Sequence, residues 1–145
     1  MLLIQERHLY EHKFIKLRQL MYLFKWSEWR TQDKVSELIN KHFKNTPDGL
    51  PGNDDTGTMS AWLIFSMMGL YPVSPAEAIY AVTSPVFDKI TIQLDSRYYK
   101  QNNLVIEKEG KGFINHLIIG NEISKRFFIN HYDLVKSNNL KMILE

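Results

Sequence analysis

A chain of 145 residues is long enough for one domain with a core of its own and too short for several. A formal net charge of +2 is too small to suit a nucleic-acid partner, and the lack of cysteine excludes disulfides and thiolate metal sites. No apolar run approaches the roughly 18 residues of a membrane span, and Met1-Leu2-Leu3-Ile4 meets charge too early to read as a signal peptide. The missing cysteines fit a reducing compartment without excluding a periplasm.

The first predicted element is a helix over residues 1–25. Tyr10, Phe14, Leu17, Met21 and Phe24 recur at spacings of three and four and so share one face. Arg7, Lys13, Lys16 and Arg18 make the rest of its surface basic, which suits a solvated core helix and also a partner-binding or membrane-surface one. This helix contains His8-Leu9-Tyr10-Glu11-His12, the H-x-x-E-H pattern of inverted zinc proteases. Two histidines one turn apart can share a zinc ion, but a third ligand is needed and none is evident downstream. Two surface histidines are the plainer reading, and a zinc hydrolase using His8, Glu11 and His12 is the alternative. A second helix is predicted over residues 31–43, with Thr31 as N-cap and Asp33 at the positive end of the dipole. Val35, Leu38, Ile39, His42 and Phe43 lie on its apolar face, His42 as a packed edge residue.

Residues 45–57 form a polar loop punctuated by Pro47, Gly49, Pro51, Gly52 and Gly57. It carries Asp48, Asn53, Asp54 and Asp55 just before a third helix running from Gly57 or Thr58 to Met68. Two readings stand side by side: an acidic turn that caps a helix, or a stiff frame that holds carboxylates in place for chemistry. Thr56 or Thr58 is the expected cap. Met59, Trp62, Leu63 and Met67 form the apolar stripe, broadened by Ile64 and Phe65 until the helix is expected to be buried on most sides. Gly69 reads as the residue that ends it, and Pro72 blocks continuation.

Beyond that point the period becomes two. Strands are predicted at Ile79–Val82, Phe87–Leu94, Leu104–Glu107, Ile114–Ile119, Arg126–Ile129 and Leu140–Leu144. Residues 73–78 read as a connecting turn, and Asn- and Gly-containing turns of hairpin length separate the later strands. The fold class expected is α+β: about three N-terminal helices packed on a mainly antiparallel sheet. The helical segment with its acidic loop covers 1–72 and the β segment 73–145, together one compact unit.

The string G-L-P-G-N-D-D-T-G-T-M-S-A-W from Gly49 to Trp62, then F-S-M-M-G-L-Y-P-V, closely resembles the C-terminal signature of glycoside hydrolase family 92. The likeness continues through Thr83–Leu94 and reaches back to Trp29-Arg30-Thr31-Gln32, which is similar to the family's W-K-T-Q segment. Family members are calcium-dependent, inverting, exo-acting α-mannosidases, typically exported and several times longer. The resemblance therefore implies the C-terminal part of an α-1,2-mannosidase acting on mannose-containing glycans. It puts the general base in the loop, Asp55 first and Asp54 second, with Asn53 and Asp48 as substrate-binding groups. The family's general acid is a glutamate well upstream, and neither Glu6 nor Glu11 lies in a matching context. The resemblance thus implies half of a catalytic pair and no activity for the chain alone. Asn53 and Asp55 are oxygen donors of the kind calcium prefers, but too few for its six to eight ligands, so calcium is not expected to bind this chain by itself. A non-catalytic carbohydrate-binding or association module is the other reading, and uncovered apolar surface is expected to favour a homo-oligomer.

Overall fold

A computed structural model of the chain describes residues 28–74 and 76–145. The predicted first helix, with His8, Glu11 and His12, lies outside them. Among the described residues two helices precede the strands: α1 (Glu28–His42) and α2 (Thr58–Met68), the latter entered through a single 3-10 turn at Asp55–Gly57. Helix α1 already includes Glu28, three residues before the expected start, so Thr31 lies inside it rather than capping it. Its inner face is Gln32 and Val35, both buried. Helix α2 ends where Gly69 adopts a left-handed conformation and its N–H bonds back to the carbonyls of Phe65 and Ser66.

The strands form two sheets rather than one. The first is three-stranded and antiparallel, in the order β1 (Leu70–Ser74), β2 (Ile79–Val82), β7 (Phe128–Asn130). Strand β1 takes in Val73 and Ser74, the start of what the sequence suggests is a turn, and it holds Pro72 because it is an edge strand that can spare an N–H. The second sheet has the order β3 (Lys89–Gln93), β4 (Asn103–Gly110), β8 (Asn139–Leu144), β5 (Ile114–Ile119), β6 (Glu122–Ser124). Its central pair, β4 and β8, is parallel, and the remaining pairs are antiparallel. A parallel neighbour cannot be reached by a tight hairpin. Here the chain arrives at β8 through α3 (His131–Ser137), a helix capped by the Asn130 side chain, which accepts from the Tyr132 N–H at 2.8 Å.

One apolar cluster spans both sheets and α3. It joins Leu70 and Val82 to Leu104, Ile106, Ile114, Leu117, Leu134, Leu140 and Met142, with Ile90, Ile92 and Leu94 packed at its margin. Polar contacts tie the outer elements to it. Gln32 accepts a hydrogen bond at 3.0 Å from the Ile114 N–H, beside the point where the β5–β8 register slips. The His131 ring sits between two tyrosine hydroxyls, Tyr80 at 2.9 Å and Tyr99 at 3.3 Å, which links β2, α3 and the turn after β3. Burial pushes the Tyr80 phenol upward, with a smaller push from Tyr99.

Candidate active-site loop

The loop closes on itself before it reaches the carboxylates. The Gly49 N–H donates to the Thr46 carbonyl at 2.9 Å, and the Lys44 N–H to the Gly49 carbonyl at 3.0 Å. A Cβ at position 49 would lie 1.9 Å from the Lys44 carbonyl oxygen, so this turn admits only glycine. The acidic group then runs directly into α2. Thr56 and Gly57 both take left-handed backbone conformations, with φ of 53° and 77°. For a β-branched threonine that conformation costs on the order of 1–3 kcal/mol, so surrounding bonds must hold it.

Those bonds centre on Asp54 and Asp55. The Asp54 carboxylate accepts at one oxygen from the Met59 N–H (2.8 Å) and the Ser60 N–H (2.9 Å), and at the other from the Ser60 hydroxyl. Met59 and Ser60 are the second and third residues of α2, whose N–H groups have no partner within the helix. Asp54 thus does the work of an N-cap from outside the usual position, in place of the expected Thr56 or Thr58. The Ser60 hydroxyl first, then the two backbone donors, hold the Asp54 carboxyl below the usual aspartate range.

Asp55 is arranged the other way round. Its backbone carbonyl accepts from the Thr56 hydroxyl (2.7 Å), the Thr58 hydroxyl (2.7 Å) and the Thr58 N–H. Its side chain is exposed, and one carboxylate oxygen accepts from the Asn53 amide at 2.6 Å. The peptide is pinned while the carboxylate faces outward with its second oxygen free of protein donors among the described residues. Asp48 is also exposed, on the earlier turn, with no side-chain hydrogen bond to the Asn53–Asp55 group.

Behind the loop, Trp62 is buried and stacks on Phe43 with ring centroids 5.7 Å apart and planes 14° from parallel. It belongs to the core. A cavity of about 590 Å³ lies between β5–β6 and β7–α3, and one of about 320 Å³ lies between α1, β4 and the segment Ser84–Val86, and loop residues line neither. Asp54 has both oxygens committed to α2, and the described residues hold no group of three or more His, Cys, Asp or Glu side chains placed for a metal.

The proteins that this chain is similar to are glycosidases by name. A family GH92 α-mannosidase of Bacteroides thetaiotaomicron, also solved in complex with mannoimidazole, matches 87% of this chain with TM-score 0.71 and 27% identity. A family GH92 inverting mannosidase from strain VPI-5482 of the same species matches 81% of it with TM-score 0.69 and 28% identity. Over 60 residues, 41% of this chain, the sequence is 37% identical to a protein of Arthroderma benhamiae named an uncharacterized secreted glycosidase. The profile of the glycosyl hydrolase family 92 catalytic domain matches residues 10–145, and the chain belongs to that family. It spans only 17% and 16% of the two mannosidase chains and 8% of the secreted glycosidase.

Proposed function

We propose that this chain carries the general-base half of an inverting α-mannosidase site, with Asp55 as the base. Inversion needs one carboxylate to take a proton from water on one face of the sugar and one carboxylic acid to protonate the leaving oxygen on the other, the two roughly 6.5–9.5 Å apart. The observation that carries the reading is the contrast within the loop: Asp55 has a clamped backbone and an outward carboxylate, while Asp54 spends its carboxylate on α2. In this reading Asn53 orients the Asp55 carboxylate, Asn53 and Asp48 face sugar hydroxyls, and water attacks the anomeric carbon as Asp55 accepts its proton. The acid and most of the calcium shell come from portions of a family 92 enzyme that this chain does not span. Terminal α-mannosides are the substrate class, in keeping with the inverting mannosidase and the mannoimidazole-bound enzyme among its relatives. Export fits the one relative named as secreted.

The purified chain, offered an α-1,2-linked mannobiose with and without calcium, should release mannose only at the background rate. In an intact family 92 mannosidase, Asp→Asn at the position matching Asp55 should abolish turnover with the fold unchanged. Turnover by the isolated chain that vanishes in Asp55→Asn would refute the half-site. A second reading, a non-catalytic sugar-binding or association module, draws on the exposed polar groups of the loop, Asp48, Asn53 and Asp55. Calorimetric titration of the chain with mannose would support it.

A further inference from the structure

We propose that Asp54 and Ser60 form a positioning unit that aims the Asp55 carboxylate, and that Asp54 itself takes no proton from water. The inference rests on the reading of Asp55 as the base and adds a role for its neighbours.

Three observations carry it. Both Asp54 oxygens accept hydrogen bonds, one from two backbone N–H groups and the other from the Ser60 hydroxyl, so taking up a proton there would weaken the hold of Asp54 on the end of α2. The residue that follows is reached without any spacer, so fixing the Asp54 side chain to α2 fixes the direction in which the Asp55 side chain leaves the backbone. The chain then needs two consecutive left-handed residues, Thr56 and Gly57, to run from the Asp54 anchor into the helix that holds it. The Gly57 N–H closes this turn on the Asp54 carbonyl at 2.8 Å. Asp54 is therefore gripped at both carbonyl and carboxylate, and the Asp55 peptide hangs between that grip and the two threonine hydroxyls.

Asparagine at position 54 keeps an oxygen for the two N–H groups but can never accept a proton from water, whereas alanine removes the grip altogether. That difference separates positioning from catalysis. The first measurement is amide exchange in this chain. Met59 and Ser60 should exchange roughly fivefold faster or more in Asp54→Ala, the factor expected for a lost cap, and close to the parent rate in Asp54→Asn. The second is kcat and KM in an intact family 92 mannosidase bearing the same Gly-Asn-Asp-Asp-Thr-Gly loop. The Asn variant at the Asp54 position should keep kcat within roughly tenfold of the parent. The Ala variant should lose kcat per folded molecule by about a hundredfold, the scale of a misplaced catalytic group, with KM moving less. Equal and near-complete loss in the Asn and Ala variants would overturn the proposal and make Asp54 catalytic. Unchanged kcat in the Ala variant, or unchanged amide exchange, would reduce Asp54 to a surface residue. Full activity of Asp55→Asn in the same enzyme would instead defeat the reading of the base and leave the exchange result standing on its own.

Discussion

At the scale of single residues, two neighbouring aspartates with identical chemistry are given opposite tasks by where their oxygens point. Asp54 turns inward and its carboxyl is held below the usual range; Asp55 turns outward. The lowered value fixes the sign of a pH effect. A carboxylate whose folded-state pKa is depressed stabilises the fold fully above the ordinary aspartate range, and that contribution is lost as pH falls through the lowered value. Acidification should therefore loosen the first turn of α2 before the core melts. The protection of the Met59 and Ser60 amides, taken as the exchange rate relative to the intrinsic rate at each pH, should fall from neutral to strongly acid pH in the parent chain and stay level in Asp54→Asn. Protection at these amides that does not change with pH in the parent would contradict the cap. In the sequence, Gly-Asn-Asp-Asp-Thr-Gly signals a stiff acidic turn, and the capping reading finds its residue in Asp54, while Asp55 as a base is the proposal made above. Which aspartate caps was not legible, because cap rules count two or three residues ahead and Asp54 reaches five and six ahead across the Thr56–Gly57 kink.

At the scale of elements, α2 is the support on which the loop stands. Met59, Trp62 and Ser66 form its buried face, and Trp62 is stacked between α2 and Phe43 at the end of α1. Trp62→Ala should cost about 3–5 kcal/mol, the range for emptying a buried aromatic site, with urea denaturation as the measurement. A loss under about 1 kcal/mol would mean that the stack carries little of the packing. The apolar stripe on this helix was legible from its spacing, but its width was not: Ile64 is 58% exposed although the run of hydrophobic residues suggested burial nearly all round. Ile64 lies two residues from Trp62, on the far side of the helix, where no described element packs. The strand cores at Ile79–Val82, Lys89–Gln93 and Ile114–Ile119 followed directly from alternation. Helix α3 and strand β6 did not, since they are 7 and 3 residues long and leave too few positions to reveal a period. Asn130 as a cap, Asp133 in the first turn and Asn138 in a left-handed conformation were the available signals for α3. Missing that helix also hid the parallel β4–β8 pair, because a helical crossover looks like one more hairpin when its helix goes unread.

At the scale of the whole molecule, the apolar surface is unevenly spread. Trp29, Val86, Phe87 and Phe113 are between 42% and 53% exposed, and Trp29 meets Phe113 edge-on at 6.3 Å. Phe113 and Val86 also line the cavity beside α1, so these side chains gather on one flank of the chain. Exposed large apolar groups scattered singly are ordinary, whereas a gathered set favours association. Tyr10, Phe14 and Leu17, on the apolar face of the helix predicted over residues 1–25, lie outside the described residues, and the Trp29–Phe113 flank is the surface to test. We expect the purified chain to self-associate through it, with sedimentation equilibrium showing a species heavier than 17.1 kDa that grows with concentration. Phe113→Ser and Val86→Ser together should shift that equilibrium toward monomer. Both positions are partly solvated, so the cost to the fold should stay near the 0.5–3 kcal/mol of common substitutions. The two carboxylates of the loop lie elsewhere, so the double variant should leave the exchange behaviour of Met59 and Ser60 as it is in the parent. A strictly monomeric parent chain at high concentration would defeat the expectation. A double variant that remains associated would move the interface to another surface, such as the Ile64 side of α2.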